Sequence, residues 1–183
     1  MPWYSAGLQR STAGLADPSK VTAWRDGRLV VHPDAERADC TVWLSVADGS
    51  GPELGWEGML ARRVGTDRAR VCAMPFWIYD LNLGDEVALI ESAETALVVT
   101  AVVRDARNYG FRVIPAEDAK EHWWRELMIE LERFECWFDI RTSRFVALSA
   151  PPDHAGSVAD LLARYESRGD WQFETSRTRD PDD

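Results

Sequence analysis

Apolar and polar positions alternate with a period of two through much of the first hundred residues. Thr41–Val46 alternates and is rich in β-branched and aromatic side chains, and Arg68–Met74 sets Arg68 and Arg70 against Ala69 and Val71. Trp56–Val64, Glu86–Glu91 and Ala96–Arg104 read as further strands, separated by the turns Gly65-Thr66-Asp67 and Ser92–Thr95 and by the loop Asp48–Gly55. A run of short strands with tight turns and no helix between them predicts a small antiparallel barrel or a strongly coiled sheet. Upstream, Val21–Arg25 and Arg28–His32 flank Asp26-Gly27, a pair that accepts positive φ at both turn positions, so a hairpin is expected there. Residues 1–20 are rich in Ser, Gly, Ala and Pro and read as a loosely held arm, and Pro33–Asp39 as a polar connection.

The pattern changes at Tyr109. After a strand over Tyr109–Ile114, the residues Trp123, Trp124, Leu127, Met128, Leu131 and Phe134 form one broad helical stripe and predict a helix over Ala119–Phe134. Strands follow at Cys136–Arg141 and Arg144–Ser149, turning at Thr142-Ser143 and stopped by Pro151-Pro152. Val158, Leu161, Leu162 and Tyr165 define a second helix, with Asp153 as its cap and Gly169 just past its end. Trp171–Thr175 closes as a strand. This order, β-α-β-β-α-β, predicts a ferredoxin-like unit. The expected fold class is therefore α+β, with a barrel-like part over 40–104 and a ferredoxin-like part over 105–177, between an arm with a hairpin at 1–39 and a tail at 178–183. The connection Val103–Asn108 is too short for a flexible linker, so one rigid unit is expected.

Met74–Val87 (MPFWIYDLNLGDEV) lies between these parts and reads as a strand running into a turn. As a strand it would place Trp77 and Tyr79 on one face and Phe76 and Ile78 on the other. Gly84 suits a left-handed turn residue, and Asp85 can hydrogen-bond the turn it belongs to. The stretch resembles the "PF-aromatic-x-Y-x-LNLGD-x-V" signature of a bacterial family of unknown function, number 4265 among such domains. Val102–Val113 and Pro151–Phe173 are similar to two further segments of that family, in the right order, so the resemblance runs from Cys40 to Glu174. One departure is Asp105-Ala106-Arg107-Asn108-Tyr109-Gly110, where the family pattern has a Ser-Gly pair followed by a polar residue and Ser-Thr. The resemblance implies a bacterial cytosolic protein and no particular activity.

Charge narrows the function classes. A net charge of −10 opposes attraction to nucleic-acid phosphates, and basic residues form no cluster beyond Arg62–Arg63 and the scattered Arg104, Arg107 and Arg112. Cys40, Cys72 and Cys136 are widely spaced without a CxxC pair, and His32, His122 and His154 are scattered, so neither a metal site nor any cofactor is expected. Unpaired cysteines and the lack of a signal peptide or of an apolar run near ~18 residues point to the cytoplasm, with no membrane partner. GxSxG, GxGxxG and the P-loop are absent.

The expected function is a non-catalytic binding protein that neutralises or regulates a macromolecular partner with a basic surface, in the manner of an immunity protein. Trp77, Tyr79, Asp80 and Arg107 are the candidate binding residues. The alternative is a small enzyme or ligand sensor at the junction of the two halves. Asp80, Asp85, Arg104 and Arg107 would then be its acid–base and anion-holding groups. For Asp85 the economical reading is turn formation, and for the arginines it is inter-domain ion pairing.

Overall fold

Two six-stranded sheets carry the described residues. The structure, a computed structural model, describes residues 20–46 and 55–177 in full and the backbone of Leu15–Ala16. Most of the expected arm, most of the Asp48–Gly55 loop and the tail at 178–183 lie outside the described residues.

The first sheet contains β1 (Leu15–Ala16), β4 (Cys40–Val46), β5 (Gly55–Arg63), β6 (Arg68–Val71), β7 (Glu86–Glu91) and β8 (Leu97–Arg104). Pairing runs β5-β4-β8-β7-β6 and returns from β6 to β5, which closes a five-stranded barrel. The barrel was expected to be antiparallel throughout, and this is corrected at one seam: β4 and β8 are parallel, at Val42↔Leu97 and Trp43↔Val98. An up-and-down chain with an odd number of strands can close only in this way, because its first and last strands run in the same direction. Val42, Met59, Ala61, Val71, Val87 and Leu89 fill the interior. Gly58 lies opposite Trp43, and a Cβ there would meet that ring at 2.8 Å, so the indole covers bare backbone.

The second sheet has the order β12-β9-β11-β10-β2-β3, built from β2 (Thr22–Arg25), β3 (Arg28–Val31), β9 (Tyr109–Pro115), β10 (Trp137–Thr142), β11 (Phe145–Ala150) and β12 (Trp171–Thr175). Its neighbours are all antiparallel. The β2–β3 turn has Asp26 at φ 50 and Gly27 at φ 76, the geometry expected of that dipeptide. The hairpin does not belong to a loose arm: Thr22 pairs with Phe138, so it widens the second sheet. After it comes α1 (Pro33–Glu36), where His32 Nδ1 accepts the Asp34 N–H at 3.1 Å, in place of the expected polar connection.

Helices α2 (Trp123–Glu130) and α3 (Pro152–Ser167) cover one face of this sheet. Phe111, Val113, Phe138, Val146 and Leu148 meet Leu127, Met128, Leu131, Val158 and Leu162 there, as the two periodicities require. Helix α2 is shorter than expected. His122, at φ 63, breaks the backbone before it and gives no side-chain cap, and the stripe continues through a 3-10 turn at Glu132–Phe134. Asp153 does not cap α3, which starts one residue earlier, with Pro151 in the cap position and Pro152 inside the first turn. At its other end Gly169 takes φ 80, and its N–H reaches the Glu166 carbonyl at 2.9 Å. The chain is thus a mixed α+β protein, mostly sheet, with a closed five-stranded barrel. Among the described residues no helix is long and apolar enough to cross a membrane.

Candidate functional site at the seam between the sheets

Residues 72–85 cross from β6 to β7 between the barrel and the helix-free face of the second sheet. The expected strand is not formed here. Cys72–Phe76 and Leu81–Leu83 are buried without alternation, because the barrel covers one side and the sheet the other. Met74, Phe76 and Leu83 pack with Val21, Ala35 and Ala147 into a small third core.

A buried segment outside any ladder still needs partners for its backbone groups. Two buried charges supply many of them. Glu57 of β5, 2% exposed, accepts the Phe76 N–H at 2.7 Å and the Trp77 N–H at 3.1 Å. Arg112 of β9, also 2% exposed, donates to the Pro75 carbonyl at 3.3 Å and to the Ile78 carbonyl. It also pairs with Glu174 at 2.9 Å and lies 4.3 Å over the Tyr79 ring. The carboxylate takes N–H groups and the guanidinium takes carbonyls, so the segment is held from the barrel and the sheet at once.

The turn that follows has the same construction. Asp85 Oδ2 accepts the Asn82 N–H at 2.8 Å, and Oδ1 accepts the Ala106 N–H at 2.7 Å. Its carboxyl is 1% exposed, and burial pushes its pKa up to about 6 against the opposing pull of those two N–H groups. Asn82 Oδ1 accepts from Gly110 N–H at 3.0 Å and from Ser176 Oγ at 3.1 Å. A Cβ on Gly110 would meet Ser176 Oγ at 2.1 Å, so only glycine fits where three segments converge. The loop that departs from the family pattern joins in. Asn108 Nδ2 donates to the Leu83 carbonyl at 2.8 Å. Asp105 holds Arg177 in a two-pronged pair at 2.7 and 2.9 Å, which keeps the Asp105 carboxyl below its usual range.

The candidate residues are dispersed over this frame. Asp85 is a turn support. Trp77 is half-buried against Phe145, at 6.0 Å between ring centroids, with Arg141 over it at 5.1 Å. Tyr79 keeps 40% of its surface, and Asp80, at φ 55, donates its N–H to the Ser176 carbonyl at 2.8 Å. Arg104 is exposed on the barrel beside Glu86, at 3.5 Å, and Arg107 is exposed in the following loop at φ 65. Sequence reasoning missed Glu57, Asn82 and Ser176 as supports, along with the inward role of Arg112. Arg112 alternates with Phe111 and Val113 as an outward residue does, and nothing local shows that the barrel covers that side.

Beside this frame opens a cleft of about 320 Å3, walled by Arg25, His32, Glu135 and Trp137 of the sheet region and by Leu83 and Asn108 of the seam. Its residues were not candidates from sequence, because the hairpin that brings Arg25 and His32 was read as an arm. Asp80, Asp85, Arg104 and Arg107 do not line it. No group of His, Cys, Asp and Glu among the described residues is placed to hold a metal ion. Burial pushes the Cys40 thiol up to about 11 and those of Cys72 and Cys136 to about 12, which keeps them protonated and unreactive.

No curated protein matches this chain. A solved structure described as a novel crystal structure of a hypothetical protein from Neisseria gonorrhoeae shares the fold. Its TM-score is 0.63 at 15% identity, over 77% of this chain and 94% of that one. The model of a family described only as a domain of unknown function, DUF4265, matches residues 57–173, a span that holds Glu57, the crossing segment and Arg112. The chain belongs to the DUF4265 family.

Proposed function

We propose that this is a non-catalytic, cytosolic bacterial binding protein whose acidic surface docks a macromolecular partner of basic character, neutralising or regulating it. The carrying observation is where the acidic surplus sits. Exposed Glu117, Glu121, Glu126, Glu130, Asp153 and Asp160 lie on or around the helical layer, and exposed basic residues there are fewer. Such a face attracts a basic surface at long range, and salt screens that attraction. Tyr79, Asp80 and Arg107 enter the proposal as contributors at the rim of the seam, with Trp77 behind them as packing support. The free cysteines support a reducing compartment. We also read residues 105–177 as a ferredoxin-like unit beside a barrel unit over 40–104; the sheet order β12-β9-β11-β10 under two helices supports this.

The enzyme reading is less well supported. Both oxygens of Asp85 are engaged by backbone N–H groups, and Arg104 is on the barrel surface. The test is capture from a lysate of the native host at low salt. A stoichiometric basic protein is expected, released at about 0.5 M salt, where the Debye length falls to a few ångströms. The double change Glu121→Lys and Glu126→Lys should abolish capture while leaving the melting temperature in place. Capture that withstands both salt and charge reversal counts against the proposal.

A further inference from the structure

The cleft beside the seam carries two opposite charges that the protein does not spend on each other. Among the described residues neither Arg25 nor Glu135 is in an ion pair. Arg25 is half-buried and fixed. Its Nη1 donates to the Trp24 carbonyl at 2.7 Å, its Nη2 donates to the Cys136 carbonyl at 3.1 Å, and its guanidinium lies 5.1 Å over the Trp137 ring. Two of its five N–H donors are thereby used, and the rest are held in a set orientation. Glu135 stands on the rim at φ 57, where the chain turns from the 3-10 segment into β10. Trp137, Leu83 and Pro151 give the cleft its apolar lining.

His32 adds a neutral polar group. Its ring meets Trp137 edge-on at 4.5 Å, and its Nδ1 is occupied by the Asp34 N–H. Burial lowers its pKa, more than the nearby Asp34 raises it, so its remaining proton sits on Nε2 as a donor. A volume of about 320 Å3 holds a small molecule rather than a peptide or a nucleic-acid strand. A purely apolar occupant would strip water from Arg25 and Glu135 without replacing it. A phosphate would find one guanidinium and an opposing carboxylate.

We propose that this cleft binds a small zwitterion of the free α-amino-acid type, with its carboxylate on Arg25, its ammonium on Glu135 and its side chain against Trp137. A carboxylate suits the two-pronged donor geometry of a guanidinium. The ammonium offsets the one acidic group that would repel a simple anion. This inference does not depend on the protein partner proposed above.

The experiment is isothermal titration and thermal shift of the full chain against glycine, L-leucine, L-phenylalanine and L-tryptophan. Phenethylamine and 3-phenylpropionate, each of which lacks one charge of phenylalanine, accompany them. At least one amino acid should bind with a Kd below about 1 mM and raise the melting temperature. Loss of either ligand charge should weaken binding about tenfold or more, near the low end of what a charge-assisted contact contributes. Arg25→Gln should weaken binding similarly, but it also removes two internal hydrogen bonds. Glu135→Gln is therefore the decisive variant: it keeps shape and fold, and should lose amino-acid binding about tenfold while leaving 3-phenylpropionate binding no weaker than in the native chain. The proposal is overturned if none of the four amino acids binds at about 10 mM, if the single-charge analogues bind as tightly as phenylalanine, or if Glu135→Gln binds like the native chain.

Discussion

Asp85 shows how one side chain serves two segments and what that does to its chemistry. Its carboxylate closes the 82–85 turn and fixes the start of the 105–108 loop, but it does so out of water. With a pKa near 6 in the native state, against roughly 3.9 in an unfolded chain, the folded protein holds a proton between those values that the unfolded chain releases. The stabilisation is fully present below about pH 4 and is lost as the pH rises through 6. The stability of the native chain relative to Asp85→Asn should therefore fall between pH 4 and 6.5, as read by urea denaturation at each pH. A difference that stays constant across that range would place the carboxyl's pKa near its ordinary value. The role of Asp85 as a turn residue was legible in the sequence, because Gly84-Asp85 after Asn82 is local turn chemistry. Its burial was not, because the groups that exclude water from it come from elsewhere in the chain.

At the scale of elements, the crossing segment 72–85 is the part of the chain whose conformation depends most on distant partners. Four of its backbone groups are held by a β5 carboxylate and a β9 guanidinium. Arg112→Met keeps much of the volume but leaves the Pro75 and Ile78 carbonyls buried and Glu174 without its partner. A loss of about 3 kcal/mol is expected in the unfolding free energy, in line with breaking a buried charged network from one side. A loss below about 1 kcal/mol would mean that water takes over those carbonyls. The strands and helices outside this segment were legible because each shows one face to water. β7 and β12 were located to the residue on that signal, and the hairpin turn at Asp26-Gly27 on its backbone preference. Helix α2 was overextended because the stripe continues through the 3-10 turn, and a stripe reports a buried face without reporting which helical pitch carries it.

At the scale of the molecule, the seam makes the two sheets mutually dependent. The third core and the Glu57, Arg112, Asn82 and Asp105–Arg177 contacts all join segments far apart in the chain. Unfolding should accordingly be a single cooperative transition. Far-UV circular dichroism, which sees both sheets, and tryptophan fluorescence, to which the buried Trp123 of α2 and Trp171 of β12 contribute, should give the same urea midpoint. Two separated midpoints would show that barrel and sheet fold as independent units.

Local periodicity, turn preferences and net charge were enough to determine most strands and helices in their order, the α+β class and the net acidity, and the Met74–Val87 motif carried the resemblance to the family. Three outcomes needed the tertiary structure: the parallel closure of the barrel, the recruitment of the β2–β3 hairpin into the second sheet, and the refusal of Met74–Asp85 to become a strand. The reason is common to all three. Periodicity records which side of an element meets water, whereas these outcomes depend on what covers the other side, and the covering residues are remote in sequence. The cleft lined by Arg25 and Glu135 is of the same kind, for its two charges come to one place only because β2 and β10, more than a hundred positions apart, pair in one sheet.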